Sequence, residues 1–358
     1  CKTLLDNITQ RQMYITGGIG ASQYGEAFTY DYDLPNDTIY AETCASIGLV
    51  FFARRMFEIT RDSKYTDVIE KALYNGVISG MSLDGKKFFY VNPLEVVPEA
   101  SEKDHLREHV KVERQKWFGC ACCPPNLARL ISSIGSYGYE TDEENIFMNL
   151  YIGGEVETQI KGKSVRFAVE TNYPWNGQVQ ISFEIDEPLV FTYAIRVPGW
   201  CKSYTIMVNG EAVDYSLRNG YAYITRKWSN YDQILFNMEM PVVLMSAHPK
   251  VREDIGKVAV TRGPLVYCLE EVDNGSELHK ISLEKNSKFI EKFKPNLLKG
   301  IMTLESDGKL ISEKKWDQDT LYQTYEDMQL EDKKLKWIPY YSWTNRTPGE
   351  MRVWVRMI

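Results

Sequence analysis

Apolar residues recur at helical spacing through the first part of the chain and at alternating spacing through the rest. The helical period, with apolar positions three and four apart, predicts a helix over residues 37–60, stopped at Arg61-Asp62-Ser63. A second is predicted over 64–82, with Val68, Ala72, Leu73 and Val77 on one stripe. A third opens at Pro124-Pro125-Asn126 and runs through Leu127, Leu130, Ile131 and Ile134 toward Gly138, with proline in the first turn, where its missing N–H costs nothing. Between them, Phe88-Phe89-Tyr90-Val91 reads as a short apolar hairpin, and residues 99–116 as a loop or solvated helix. After residue 145 the period becomes two. Runs at 146–152, 164–171, 178–185, 189–197, 204–208, 220–225 and 233–238 read as short strands separated by Gly, Asn and Pro turns. Asn209-Gly210 is a hairpin signal. Further strands are predicted at 258–261, 265–270, 336–343 and 351–357, with a less regular polar stretch over 274–300. The fold class is therefore α plus all-β and multidomain: a helical region over 1–144 and two antiparallel β-sandwich domains over 145–248 and 249–358.

Composition changes this picture little. The chain has 358 residues, 44% hydrophobic and 25% charged, which is ordinary for a globular protein of more than one domain. Its net charge of -7 argues against a nucleic-acid partner. No apolar run approaches the ~18–20 residues of a membrane span. Cys1 stands without an initiator Met and with no signal-peptide apolar region after it. A chain beginning partway through a longer polypeptide is the favoured reading, over a mature lipoprotein.

The seven cysteines carry the candidate chemistry. Three fall within four residues (Cys120, Cys122 and Cys123), and the odd, clustered set is unlike a secreted disulfide framework. Clustered thiols point to a reducing, cytoplasmic compartment and to metal binding or catalysis. Glu42 and Cys44 form a second group, and thiolates with a carboxylate suit zinc. Cys122 and Cys123 precede Pro124-Pro125, so they sit where exposed N–H groups and the helix dipole favour an anion and lower a thiol pKa. Glu42 and Cys44, two apart, face different ways on a regular helix, so a shared metal requires an irregular backbone there. Two other readings stay open: buried core cysteines, and a vicinal disulfide between Cys122 and Cys123.

The glycine-rich run Thr16-Gly-Gly-Ile-Gly lacks both the dinucleotide pattern and a Walker lysine. As a loop between helices it leaves Glu26, Asp31, Asp33 and Asp37 as proton-transfer candidates.

The words Tyr14-Ile-Thr-Gly-Gly-Ile-Gly, Gly25-Glu-Ala-Phe, Asp33-Leu-Pro-Asn-Asp, Tyr40-Ala-Glu-Thr-Cys-Ala-Ser, Leu73-Tyr-Asn-Gly, Phe89-Tyr-Val-Asn-Pro-Leu and Trp117-Phe-Gly-Cys-Ala-Cys-Cys-Pro-Pro-Asn occur in this order. Later come Tyr173-Pro-Trp, Arg196-Val-Pro-Gly-Trp-Cys, Arg262-Gly-Pro-Leu-Val-Tyr-Cys and Pro339-Tyr-Tyr-Ser-Trp-Thr-Asn-Arg. Together they resemble glycoside hydrolase family 127, the β-L-arabinofuranosidases, over essentially the whole chain. The resemblance implies an (α/α)6 barrel followed by β-sandwich domains. It implies a zinc ion held by Glu42, Cys44, Cys122 and Cys123, with Cys122 as nucleophile, Glu26 as general acid/base, and Glu70 and Tyr90 as sugar contacts. A glycoside or oligosaccharide substrate and a retaining mechanism follow from it. Residues 1–144 correspond to only the last third or so of such a barrel, so the upstream segment is expected to come from outside this chain. Homo-oligomerisation stays open. The rival reading is a non-catalytic or degenerate carbohydrate-binding protein with a structural Cys3Glu zinc site.

Overall fold

The computed structural model describes residues 1–317, 319–325 and 327–358. A short helix α1 (Lys2–Asn7) leads through irregular backbone to α2 (Thr43–Thr60) and α3 (Ser63–Ala72). Helix α2 buries Ile47, Leu49, Val50, Ala53, Met56 and Phe57, one stripe at helical spacing. It ends where Arg61 turns left-handed at φ 52°. The Asp62 side chain then caps α3 by accepting from the Lys64 N–H at 3.0 Å. Beyond strand β1 (Glu95–Val96) lie α4 (Pro98–Lys103) and α5 (Cys123–Ser132).

Strands β2 (Tyr139–Thr141), β3 (Asn145–Met148), β7 (Leu189–Arg196), β10 (Ser216–Arg218) and β11 (Tyr221–Trp228) form one middle sheet in the order β10-β11-β7-β3-β2. A second comprises β4 (Gly154–Ile160), β5 (Lys163–Thr171), β6 (Gln178–Glu184), β8 (Tyr204–Val208), β9 (Glu211–Ala212) and β12 (Gln233–Met238), in the order β4-β5-β6-β12-β8-β9. The two share one core, in which Phe191, Tyr193 and Ile195 of β7 meet Phe167, Phe183 and Phe236. Ala194, between them on β7, faces the other way into the core of α2 and α3, where Tyr221 joins it. The period-two pattern thus places one face of this sheet in the middle core and the other against the helices.

The remaining strands are β13 (Val242–Met245), β14 (Lys257–Arg262), β15 (Leu265–Glu270), β16 (Ile281–Leu283), β17 (Phe289–Lys294), β18 (Ile301–Ile311), β19 (Leu330–Pro339), β20 (Met351–Arg352) and β21 (Trp354–Met357). Six of them pair in a closed cycle, β14-β15-β19-β18-β16-β21 and back to β14. Strand β15 is buried along its whole length because both its faces are covered. Leu265, Tyr267 and Leu269 enter the core inside the cycle, whereas Val266 and Cys268 pack against Tyr14, Ile39 and Phe89 of the helical region.

Several predicted elements change shape. The helix predicted from residue 37 starts only at Thr43, because Ala41 is left-handed at φ 36° and Glu42 extended. The helix predicted over 64–82 loosens after Ala72 into a wider turn (Leu73–Val77) and a tighter one (Ile78–Gly80). There the Asn75 side chain bonds the Pro264 carbonyl and the Val266 N–H, tertiary partners that no local pattern reveals. The apolar run 88–91 is not a hairpin within itself: Phe88 pairs antiparallel with Met81 across a short turn, where Ser82 N–H bonds the Lys87 carbonyl, and also bridges to Gln115. Helix α5 stops at Ser132, and Gly135–Gly138 is a separate turn. Strand β13, which lies before the boundary drawn at 248, pairs with β14 and belongs to the C-terminal sheet. That sheet is continuous and cyclic, in place of two facing layers. The Asn209-Gly210 hairpin forms with both residues at positive φ (53° and 83°) and Val208 opposite Glu211.

Candidate active site and metal centre

Two helix starts build the centre. Glu42 is the residue before α2, and its extended backbone (φ -57°, ψ 140°) bridges to Val91 while Thr43 N–H bonds the Tyr90 carbonyl at 2.9 Å. This is the irregular entry that lets Glu42 and Cys44 serve one centre. Cys122 stands just before α5 and Cys123 opens it, with prolines in the first turn.

The donor atoms of Glu42, Cys44, Cys122 and Cys123 lie within 4.8 Å of one another, close enough to hold a metal ion. Cys44 Sγ is 3.7 Å from Cys123 Sγ, which is 3.8 Å from Cys122 Sγ, so the vicinal disulfide is not made. Glu42 Oε1 accepts from the Cys122 thiol at 3.3 Å and the Cys123 thiol at 3.8 Å. Cys123 and Glu42 are buried, at 1% and 7% exposure.

The expectation of a lowered Cys122 pKa is reversed where protein groups alone act. Burial pushes the Cys122 thiol up to about 12, and the hydrogen bond to Glu42 adds to it. Cys123 is raised further by burial and by its charged neighbours Cys44 and Cys122. The helix start is thus outweighed first by burial and then by the neighbouring acidic groups, with no protein cation among them in the described residues. A divalent cation bound there would supply the missing countercharge and hold such thiols as thiolates.

Outward from the Glu42, Cys44, Cys122 and Cys123 group lies Glu26, on an exposed turn. The Cys122 thiol donates to Tyr90 OH at 3.5 Å, and Tyr90 donates to Glu26 Oε1 at 3.2 Å. Those two lengths cap the Sγ–Oε1 separation at 6.7 Å. Tyr40 also donates to Glu26 Oε1, at 2.9 Å. Nothing local in the sequence marks Tyr40. Its position two residues before Glu42 is the only signal that could have drawn it in.

The other candidates go elsewhere. Asp31 pairs with Arg11 at 2.8 Å and Asp37 with Arg107 at 2.7 Å. Gly17 of the glycine-rich loop sits at φ 77°, where a Cβ would lie 2.6 Å from Ala72 Cα, so this glycine serves close packing on α3. Glu70 is not brought to the cluster. At 2% exposure it pairs with Arg196 and accepts from Tyr173 OH (2.7 Å) and Trp200 Nε1 (3.0 Å), so its carboxylate is engaged by the middle domain.

Comparison with known proteins agrees with this arrangement along the chain. Residues 1–136 match the β-L-arabinofuranosidase GH127 catalytic domain, 145–240 the GH127 middle domain and 242–356 the family's C-terminal domain. A non-reducing end β-L-arabinofuranosidase of Bifidobacterium longum subsp. longum is 38% identical over 99% of this chain and 55% of its own length. A crystal structure of a GH127 β-L-arabinofuranosidase from Geobacillus stearothermophilus T6 superposes with a TM-score of 0.97 at 52% identity, covering 100% of this chain and 56% of that one. Another solved GH127 β-arabinofuranosidase gives 0.90 at 38% identity, over 99% and 55%. The chain spans about half the length of these relatives. From the helix-start cysteines to the closing strands, the chain belongs to glycoside hydrolase family 127.

Proposed function

We propose that the natural protein carrying this chain is a retaining β-L-arabinofuranosidase, with residues 1–136 forming the last part of an (α/α)6 barrel. The observation that carries the reading is the hydroxyl of Tyr90, shared between Cys122 Sγ and Glu26. Retaining glycosidases separate their two groups by ~5–5.5 Å and inverting ones by ~6.5–9.5 Å. A cap of 6.7 Å leaves little of the inverting range. Zinc suits the donor set, because a tetrahedral ion with ~2.3 Å bonds to sulfur spaces two sulfurs by ~3.8 Å. The paired sulfurs stand 3.7 and 3.8 Å apart.

Bound zinc would supply the positive charge that keeps the cluster's sulfurs anionic. Cys122 sulfur attacks the anomeric carbon while the glycosidic C–O bond breaks and Glu26 gives its proton to the departing oxygen. Water then bonds the same carbon as the C–S bond breaks, Glu26 takes the water's proton, and Cys122 returns as thiolate. Tyr90, within reach of both groups, is placed to meet a sugar hydroxyl between them. Inverting the anomeric carbon twice preserves its configuration.

Cys122→Ala should abolish hydrolysis of an aryl β-L-arabinofuranoside, and mass spectrometry of the native protein quenched during turnover should find a sugar on Cys122. Activity retained in that variant would remove the nucleophile assignment. A non-catalytic protein with a structural Cys3Glu site predicts instead that sugar binds and no adduct ever forms.

A further inference from the structure

Glu26 is the exposed member of the site, and its backbone is held in the left-handed region (φ 50°) beside Gly25 (φ 71°). A carboxylate on such a turn samples several rotamers unless something holds it. Among the described residues two side-chain bonds hold it, from Tyr40 and Tyr90, and both end on Oε1. Among the described residues no side-chain bond ends on Oε2.

The two phenols are not equivalent. Tyr90 is shared, since it also accepts from the Cys122 thiol, whereas the Tyr40 hydroxyl donates to Glu26 and, among the described residues, bonds no thiol of the cluster. The Tyr40 ring is braced, lying against Tyr90 (centroids 5.9 Å apart) and His109 (6.0 Å). His109 is in turn anchored, with Nε2 3.1 Å from the Ile39 carbonyl. The geometry points to Tyr40 as a positioning residue for proton transfer: it pins Oε1 of Glu26 so that Oε2 is the oxygen presented to the departing group and to water. This rests on the acid/base role proposed for Glu26.

A pinned carboxylate matters only where proton transfer is part of the barrier. Tyr40→Phe keeps the ring and its packing and removes one donor. In the natural protein it should therefore lower kcat/KM about 10–100-fold for an arabinofuranoside with a poorly acidic leaving group, a share of what general acid catalysis contributes. Hydrolysis of a dinitrophenyl arabinofuranoside, whose phenolate leaves without a proton, should change less than about 3-fold in its first step, with metal content and melting temperature unchanged. Equal loss on both substrates, no loss on either, or a variant that has shed its metal or melts earlier marks Tyr40 as scaffold and overturns the inference. Glu26→Gln run in parallel separates the two levels. If that variant still hydrolyses the poor substrate, the acid/base assignment itself fails. If it does not, and Tyr40→Phe matches wild type, only the role of Tyr40 fails.

Discussion

Two groups of buried acids lie on the helical region, and they solve the same electrostatic problem in opposite ways. At the junction with the middle domain, Glu70 and Asp67 of α3 meet Arg196 at the end of β7, whose guanidinium is wholly buried. Asp67 Oδ1 lies 2.6 Å from Arg196 Nη1, and Trp200 and Tyr173 complete the shell of Glu70. The protein provides its own cation there. At the cluster of Glu42, Cys44, Cys122 and Cys123 the acids hydrogen-bond to one another, and burial raises the pKa of the Cys122 and Cys123 thiols. Buried charge of one sign without a counterion is costly, so the second group is close enough and of the right chemistry to take a cation from outside the chain. The difference teaches which acids the chain neutralises with its own cation and which it leaves without one among the described residues.

The contrast breaks most severely if the metal ligands are removed. Binding at structural thiolate sites is worth ~10–16 kcal/mol in peptide systems, so Cys123→Ser should strip the metal and a strong chelator should lower the melting temperature of the parent. Metal analysis beside a thermal scan checks this, and unchanged metal content in the variant would deny Cys123 a ligand role. Next comes the junction. Arg196→Met leaves two acids buried without their cation and should cost about 3–5 kcal/mol in denaturant unfolding, partly recovered in the double variant with Glu70→Gln. A loss below about 1 kcal/mol would mean that Arg196 is dispensable.

Asp254 gives the smallest test and a third case. It is a buried carboxylate at 5% exposure that accepts from Asn36 Nδ2 at 2.8 Å and has no ion pair among the described residues. Burial raises its pKa to about 6. A folded value above the unfolded one means that stability is full below about pH 4 and declines as pH rises through about 6. Asp254→Asn, which keeps the acceptor, should therefore be more stable than the parent by about 2–3 kcal/mol at pH 7.5 and equal to it near pH 3.5. A pH-independent difference would show that ionisation is not the cause.

Much of the site is legible from local pattern. The prolines after Cys123 mark a helix start, and the mismatch of Glu42 and Cys44 with helical geometry requires the bend that Ala41 makes. Strands β5, β6 and β12 follow their alternation closely because each has one face in the middle core and the other less buried. Glu70 and Tyr40 mark where reading by position ends. Both belong to quoted segments or matched positions, yet Glu70 turns to a residue 126 positions later, and Tyr40 acts through Glu26, 14 positions earlier.

What the sequence by itself determined is the type and order of elements, the turn at Asn209-Gly210 and the set of residues able to bind metal, because periodicity, capping and turn chemistry are properties of neighbouring residues. Tertiary structure alone decided which acids meet Arg196, where β13 pairs, that six C-terminal strands close on themselves, and that Tyr90 links Cys122 to Glu26. Those outcomes depend on contacts between distant segments and on the burial they impose. The thiol pKa shows it most clearly: the helix start favours the anion, and the surrounding fold, by excluding water and gathering four acids, reverses that preference until a cation is bound.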